Sequence, residues 1–197
     1  MKIAEKKDIV CYAGGLTEDR GITTLVQYSM RLDRELYLAG PIEEDYRQFL
    51  IKEYGTTYNK NWFLKGILSR EEIQQLYKEC AVGVCTLKNT INYYHSLPIK
   101  LFEYMEAEIP VVVSDFPLWR EIVIEAGCGF CVNEEDPKEI CDRINYLLEN
   151  PEEAKQMGQN GRKAVLNKYN WDIEEKKLLC IYEDLRQNIE RGIKCVV

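Results

Sequence analysis

Short apolar runs alternate with amphipathic, helix-like segments along most of the chain. Most of these runs lack the regular polar residues that a sheet with one face in water would show. The pattern is typical of βα units, in which helices cover both faces of a parallel sheet. It therefore predicts an α/β fold with a Rossmann-like, doubly wound, six-stranded parallel sheet, helices on both faces and extra C-terminal helices. The predicted strands are 8–14, 35–40, 61–66, 81–87, 109–115 and 129–133.

Several predicted helices carry recognisable start signals. Ser69 and Glu72 have the spacing of a capping box, in which each side chain accepts a hydrogen bond from the other residue's backbone amide. The Asp-Pro pair at 136–137 and the Asn-Pro pair at 150–151 each combine an N-cap residue with a proline suited to a first helical turn. Because no linker or repeat divides the chain, we predict one domain over 1–197. Its core spans about 8–168, and a long final helix spans about 171–191.

The composition argues against several classes of function. The formal net charge is −7 and the isoelectric point is near 5.0, so no broad attraction to nucleic acid or an anionic membrane is expected. No apolar run approaches the roughly 20 residues of a membrane span, and the chain opens without a signal peptide, so a cytoplasmic location is expected. The eight cysteines are scattered, mostly in apolar runs, and are expected to be free, buried thiols. Cys128 and Cys131 have zinc-like spacing, but no second such pair accompanies them, so no metal site is expected.

Ligands of open parallel sheets bind beyond the carboxyl ends of the strands, and two loops at this edge are noteworthy. The first follows the first strand and reads YAGGLTEDRGI, where Gly14 and Gly15 suit a tight turn or the close approach of a ligand. Arg20 lies where the next helix should begin and would neutralise a phosphate bound there. The glycines fit neither the dinucleotide fingerprint nor the P-loop, so a plain strand-to-helix turn is equally compatible with this loop.

The second loop follows the fourth strand and leads into SLPIKLFEYM. Pro98 suits the first turn of a helix, so Ser96 or Leu97 is expected at its N-cap. Lys100 and Glu103 are three residues apart and are expected to share a helix face. A solvated lysine–glutamate pair is the alternative that these residues alone leave open.

His95, the one histidine of the chain, comes just before this helix. Glu103 should lie about 7.5 Å along the helix axis from Pro98. A ligand that reaches both His95 and Glu103 must be extended, with an anionic part at the helix tip and a hydroxyl-rich part along its side. A nucleoside diphosphate carrying a sugar has this form: Lys100 and the helix amides would bind phosphate, and Glu103 would accept hydrogen bonds from a ribose diol.

The segment TLKNTINYYHS, between the fourth strand and this helix, is expected to shape a sugar pocket. Its candidate contacts are Asn92, Tyr93 and Tyr94. The two tyrosines are equally compatible with a packing role.

Residues 8–185 resemble the C-terminal, donor-binding half of the group 1 retaining glycosyltransferases, which have the GT-B fold. The similarity centres on SLPIKLFEYMEAEIPVVVSD and includes YAGGLTEDRGI, LAGP, FLKGILSREEIQQLYKECAVGV and YNWDIEEKKLLCIYEDL. It rests on the agreement of these spaced segments rather than on any one of them. The resemblance implies one half of a GT-B fold, with the N-terminal acceptor domain absent. In the family the last helix crosses toward that other half, so an apolar, partly exposed patch is expected on 171–185.

The resemblance assigns roles to two residues of the second loop. The family has two glutamates separated by seven residues, of which the second holds the ribose and the first contacts the transferred sugar. Glu103 matches the second, whereas His95 stands at the first. An imidazole differs from a carboxylate in charge and reach, so this departure bears on the identity of the sugar and on activity.

In the first loop the family usually presents an arginine and, five residues later, a lysine to the diphosphate. These positions hold Gly15 and Arg20 here, so Lys100 is expected to replace part of the missing charge. Glu108 also stands where the family commonly has glycine, with a local effect expected.

The resemblance implies the nucleotide-sugar donor-binding domain of a retaining glycosyltransferase. The enzyme would transfer a hexose from a UDP- or GDP-sugar to a glycan or lipid-linked acceptor, without a metal or other cofactor. The implied partners are the nucleotide sugar and the missing acceptor domain, with no nucleic acid and with membrane contact only through the missing half. This half alone is expected to be inactive, and the full-length protein to be cytoplasmic, at most peripheral at the inner membrane face. The implied catalytic residues are Arg20, Lys100 and Glu103, and the implied substrate-binding residues are Gly14, Gly15, Tyr94, His95, Ser96, Leu97 and Pro98.

Three other interpretations make different demands on the sequence. A non-catalytic nucleotide-sugar binder or assembly subunit is favoured by His95 at the first glutamate position and by the missing cation at Gly15. A nucleotide-sugar epimerase of the same two-lobed fold would be expected to carry more histidines and acids. A receiver-like or flavin-binding domain would need an acidic pocket or a flavin phosphate loop, and the sequence shows neither.

Overall fold

The six predicted strands form one parallel sheet. A computed structural model describes residues 7–29, 34–55 and 61–190. Each strand lies within about two residues of its predicted bounds, so the α/β, doubly wound fold class is confirmed. The strands are β1 (Lys7–Ala13), β2 (Glu35–Ala39), β3 (Trp62–Gly66), β4 (Cys80–Cys85), β5 (Val111–Ser114) and β6 (Gly129–Val132).

The strand order creates a natural crevice beside β1. The sheet runs β3-β2-β1-β4-β5-β6, and Val10 of β1 lies opposite Leu36 of β2 on one side and Val82 of β4 on the other. The chain builds outward from β1 in one direction and then, from β4, in the other. The connections that leave β1 and β4 therefore run in opposite directions, and the loops after these two neighbouring strands lie at the carboxyl edge, where this class of sheet binds its ligands.

Helices cover both faces of the sheet. On one side α1 packs against α2 and α7, and on the other α5 packs against α8. The helices of the described residues are α1 (Ile22–Ser29), α2 (Glu44–Tyr54), α3 (Arg70–Glu79), α4 (Ile91–Tyr94), α5 (Ile99–Glu106), α6 (Pro117–Ala126), α7 (Pro137–Glu149), α8 (Pro151–Asn167) and α9 (Trp171–Glu190).

Of the start signals predicted for α3, α7 and α8, the first two are confirmed in full. The hydroxyl of Ser69 accepts from the amide of Glu72 at 3.2 Å, and the Glu72 carboxylate accepts from the amide of Ser69 at 2.7 Å, which completes the capping box. Asp136 accepts from the amides at the start of α7. The helix α8 begins at Pro151 as predicted, but Asn150 does not cap it with its side chain. Its side-chain amide instead donates to the carbonyl of Tyr146 at 2.8 Å, near the end of α7, where the backbone amide of Asn150 also donates.

The core is built from continuous apolar strands and a few large aromatic residues. Most of the described cysteines are buried and none of them forms a disulfide, as expected, whereas Cys180 is exposed on α9. Glu108, just after α5, has a left-handed backbone with φ of 56°, a conformation that glycine adopts without steric cost. This accounts for the glycine that the related family commonly has there. The largest fully buried side chains include Trp119, Tyr12, Tyr28, Tyr104 and Phe116.

The final helix presents an apolar face to solvent, as predicted. Trp171 is 67% exposed and Tyr182 is 63% exposed, and Leu178, Leu179 and Ile181 are also exposed. So large a group of exposed apolar side chains is unusual unless another surface covers it. None of the helices in the described ranges has the length and apolar character needed to cross a membrane.

Candidate functional site

The loops after β1 and β4 are held together at the carboxyl edge of the sheet. The backbone amide of Lys88 donates to the carbonyl of Asp19 at 2.9 Å, and the Tyr93 hydroxyl donates to the Asp19 carboxylate at 2.6 Å. Hydrogen bonds, first from Thr17 and then from Tyr93, lower the pKa of Asp19 below its ordinary value. An ion pair of 2.9 Å between Lys88 and Glu18 adds a third link. The two loops predicted to carry the site therefore form one surface.

The glycines of the first loop allow two cationic side chains to lie directly against the backbone. Gly14 has φ of 144°, and a β-carbon there would lie 2.8 Å from Nζ of Lys100. A β-carbon at Gly15 would lie 3.3 Å from Nη1 of Arg20. The structure thus brings Gly14, Gly15, Arg20 and Lys100 together, as expected from two loops at one sheet edge. The same glycines also make the strand-to-helix turn, so the two interpretations of this loop do not exclude each other.

Lys100 is the least ordinary residue of this surface. It is only 9% exposed, and its Nζ has no hydrogen-bond acceptor among the described residues. Nζ lies over the ring of Tyr12, 3.6 Å from the ring centroid. Burial lowers the pKa of Lys100 to about 8, and repulsion from Arg20 acts in the same direction. Cys85 opposes this shift, but its effect is weaker than that of burial. A buried cation without an acceptor is costly, and an anion bound beside Gly14 would remove that cost.

Arg20 is held between two tyrosines. It lies close enough to the hydroxyls of Tyr93 and Tyr12 to donate hydrogen bonds to them. Burial alone would lower the pKa of Arg20, but these contacts raise it above its ordinary value. The Tyr12 hydroxyl also donates to the carbonyl of Gly15 at 3.1 Å. The guanidinium therefore lies against both phenol groups and remains charged.

Glu103 lies on the same helix as Lys100 but in a different environment. Its side chain is exposed, whereas Lys100 is buried, so the alternative of a solvated lysine–glutamate pair is wrong. The reason is that Lys100 falls one turn before the fully buried Tyr104, on the core side of α5. Oε2 of Glu103 accepts a hydrogen bond of 3.1 Å from the hydroxyl of Tyr77 on α3. Tyr77 is not among the site residues predicted from the sequence.

The segment between α4 and α5 differs from the prediction in its cap. Pro98 itself is the N-cap, with φ of −77° and ψ of 127°, rather than Ser96 or Leu97. Its carbonyl accepts the first helical hydrogen bond, from Leu101, at 3.1 Å. The carbonyl of Ser96 instead accepts from Nε1 of Trp119 at 2.6 Å, a tertiary contact that the local sequence does not reveal.

His95 ends α4 and is exposed. Its ring meets the ring of Tyr94 edge-on, with centroids 5.0 Å apart, and Tyr94 also packs against Phe116. Tyr94 therefore has at least a packing role, while Asn92 and Leu97 are exposed. Whether any of these residues touches a ligand stays a prediction.

This surface combines positive potential with an exposed carboxylate. Two cations, the glycine backbone and the first amides of α5 offer positive potential, and Glu103 offers acceptors farther along α5. Within residues 7–29, 34–55 and 61–190, no group of three or more histidine, cysteine, aspartate or glutamate side chains is arranged to hold a metal ion.

Known structures share this fold over nearly the whole chain. A sucrose-phosphate synthase of Thermosynechococcus elongatus superposes with a TM-score of 0.80 at 23% identity, over 95% of this chain and 47% of that chain. The C-terminal domain of a group 1 glycosyltransferase, LpcC, of Francisella tularensis has a TM-score of 0.71 at 19% identity, over 84% of this chain and 87% of that chain. HepE of Anabaena, solved in complex with UDP, has a TM-score of 0.72 at 17% identity, over 96% of this chain and 50% of that chain.

Sequence comparison gives the family. An uncharacterized glycosyltransferase of Methanocaldococcus jannaschii is 26% identical over 92% of this chain, and the capsular polysaccharide biosynthesis glycosyltransferase CapM of Staphylococcus aureus is 22% identical over 96%. The chain spans 46% and 49% of the length of these two relatives. The family model described as "Glycosyl transferases group 1" matches residues 1–164. The chain therefore belongs to the group 1 glycosyltransferases.

Proposed function

We propose that this chain is the nucleotide-sugar donor-binding domain of a retaining glycosyltransferase. In this proposal the enzyme transfers a hexose from a nucleoside diphosphate sugar to a glycan or lipid-linked acceptor. The observation that carries the proposal is the buried Nζ of Lys100, which lies without an acceptor beside Arg20 and against the Gly14–Gly15 backbone. A diphosphate would supply the missing acceptor and would neutralise both cations.

The rest of the donor would extend along α5. The diphosphate lies at Gly14, Gly15 and the first turn of α5, beyond Pro98, and the ribose diol donates hydrogen bonds to Glu103. The transferred sugar then lies on the side of the α4–α5 segment, where His95 replaces the family's first glutamate. A neutral imidazole can donate or accept one hydrogen bond to a sugar hydroxyl, whereas a carboxylate only accepts.

The cations also have a role in the reaction. As the bond between sugar and diphosphate breaks, negative charge grows on the leaving phosphate oxygens, and Arg20, Lys100 and the α5 amides stabilise that charge. The proposed route needs no metal ion for this step. We nominate no covalent nucleophile, because retention would follow from attack on the face that the departing phosphate leaves.

The acceptor would be bound by a second domain. The M. jannaschii and S. aureus relatives are about twice as long as this chain, and the exposed apolar face of α9 offers a surface for further structure. The chain alone is therefore proposed to bind donor without transferring the sugar. For the whole protein we propose a cytoplasmic location, with any membrane contact made by the other half.

Calorimetric titration with UDP, GDP and their hexose derivatives tests this proposal. One nucleotide is expected to bind, and Glu103→Ala is expected to weaken it about tenfold because the ribose loses a charged acceptor. His95→Ala is expected to change the ratio of affinities among sugar nucleotides while leaving the affinity for the free diphosphate unchanged. The matched control is Glu106→Ala, which removes an exposed carboxylate from the same helix and should change neither value.

Two outcomes would redirect the proposal. If the folded chain binds neither nucleotide nor sugar nucleotide, the donor-site assignment fails for this domain. If it binds donor, but the chain joined to its acceptor half shows no turnover, the non-catalytic binder becomes the better description. The replacement of a family glutamate by His95 specifically favours that second candidate.

Diphosphate binding is also expected to depend on pH through Lys100. In the free domain the ammonium loses its proton near pH 8, and a bound diphosphate would hold that proton to higher pH. Affinity should therefore fall about tenfold between pH 7 and pH 9, a range in which the phosphate, with its last pKa near 6, stays fully ionised. In Lys100→Arg the charge persists through this range, so titrations at the two pH values should agree within about twofold. A pH profile that is the same in both proteins would contradict this role for Lys100.

A further inference from the structure

The hydroxyl of Tyr77 contacts the carboxylate of Glu103, the proposed ribose-binding residue. It donates to Oε2 of Glu103 at 3.1 Å, across an interval of 26 residues. Tyr77 is 4% exposed, whereas Glu103 is exposed, so the contact joins a buried donor to an accessible acceptor. A buried tyrosine hydroxyl needs a partner, and Glu103 provides it.

The ring of Tyr77 is itself firmly held. It meets the ring of Tyr104 edge-on, with centroids 5.2 Å apart and planes at 73°. Tyr104 is fully buried, and its hydroxyl accepts from the amide of Ala13 at 3.1 Å. Ala13 is the last residue of β1 and directly precedes Gly14. Tyr77 is thus tied through Tyr104 to the strand end that carries the anion loop.

This contact uses only part of the hydrogen-bonding capacity of the Glu103 carboxylate. A carboxylate can accept about four hydrogen bonds, and Tyr77 occupies one acceptor position on Oε2. Oε1 and the remaining position on Oε2 stay free for a ligand. An exposed glutamate side chain otherwise samples several rotamers, and its ordering on binding would cost affinity.

We propose that Tyr77 is a positioning residue that fixes the Glu103 carboxylate in the orientation that accepts two ribose hydroxyls. This inference rests on the proposed function, because it assumes that Glu103 binds ribose. Tyr77 does not touch the ligand. It acts by selecting one rotamer of Glu103 before the nucleotide arrives.

The test compares Tyr77→Phe with the parent chain, using the nucleoside diphosphate that the parent binds better and its 2′-deoxy and 3′-deoxy counterparts. The variant removes one hydroxyl and keeps the ring that packs on Tyr104. In the parent, loss of a ribose hydroxyl should weaken binding about tenfold. In Tyr77→Phe the ratio of the affinity for the nucleoside diphosphate to that for its deoxy forms should fall to about twofold. The affinity for the deoxynucleotides themselves should stay unchanged. A general loss of packing would weaken all three nucleotides equally, so the ratio separates positioning from a structural effect.

Tyr37→Phe is the matched control. Tyr37 donates to Glu35 at 2.8 Å, so this variant breaks the same kind of tyrosine–glutamate pair at the start of β2, where no site is proposed. It should leave the ratio at its parent value. The positioning role would be overturned if Tyr77→Phe kept the parent's tenfold preference for the nucleoside diphosphate over its deoxy forms while Glu103→Ala lost that preference. The proposed function would then remain intact. If the parent itself binds no nucleotide, or binds without discriminating against the deoxy forms, the ribose role of Glu103 fails and the inference fails with it.

Discussion

Lys100→Met is expected to raise the free energy of unfolding at pH 7 by about 1–3 kcal/mol and to weaken diphosphate binding by about 100-fold. Methionine has nearly the length and flexibility of lysine, so it should fill the same space over the Tyr12 ring. The variant removes a buried ammonium that has no acceptor among the described residues. The cation–π contact with Tyr12 offsets part of the desolvation cost, which keeps the expected gain in stability moderate.

The pH dependence of this gain identifies its cause. Burial lowers the pKa of Lys100 to about 8, below the ordinary 10.5 that the unfolded chain retains. Between these two values the unfolded state binds the additional proton, so the stability of the parent rises with pH over this interval. The advantage of Lys100→Met should therefore be complete below pH 8 and should disappear as the pH approaches 10.5.

Urea unfolding at pH 7 and at pH 10 measures the gain in stability and its loss at high pH. Lys155→Met is the control, because Lys155 is an exposed lysine on α8 and its loss should change stability by less than about 0.5 kcal/mol. If Lys100→Met instead lowers the stability at pH 7 by more than 1 kcal/mol, the ammonium must be well stabilised in the free domain, and the main argument for an anion site is lost.

The fold was predictable from sequence because its signals are local. Continuous apolar runs marked the six strands, and the capping box at Ser69 and Glu72 marked the start of α3, since these patterns depend on neighbours in the chain. The two loops could also be assigned to one edge, because all parallel strands end on the same side. One departure came where a distant partner competed for a backbone carbonyl. Trp119 occupies the carbonyl of Ser96, so the cap of α5 moves to Pro98.

The details of the candidate site depend on tertiary contacts that no sequence spacing specifies. Whether Lys100 is solvated or buried depends on how α5 lies on β1 and β4, and only the structure shows Nζ against Gly14 and Tyr12. The contact of Tyr77 with Glu103 likewise requires the relative placement of α3 and α5. Tyr77 is buried on α3 next to Leu76, and a buried tyrosine was the available signal, because its hydroxyl must find a partner.

Arg20→Ala is expected to weaken binding of the nucleoside diphosphate by about 30- to 100-fold, because it removes a charge-assisted hydrogen bond donor. Contacts with Tyr93 and Tyr12 keep the guanidinium charged in the free domain. The loss should be smaller for the monophosphate and absent for the nucleoside, because only the phosphates meet Arg20. Calorimetry with the three ligands measures this gradient.

Two further variants give the Arg20 prediction its controls. Arg47→Ala removes an exposed arginine of α2 that is paired with Glu44, and it should leave all three affinities unchanged. Arg20→Lys keeps the charge but not the planar donor group, so a loss of only about threefold to tenfold is expected. An equal loss for nucleoside and diphosphate would mean that Arg20 supports the loop rather than the ligand. Because Arg20 and Lys100 are proposed to share one diphosphate, Arg20→Ala combined with Lys100→Met should weaken binding by less than the product of the two single effects.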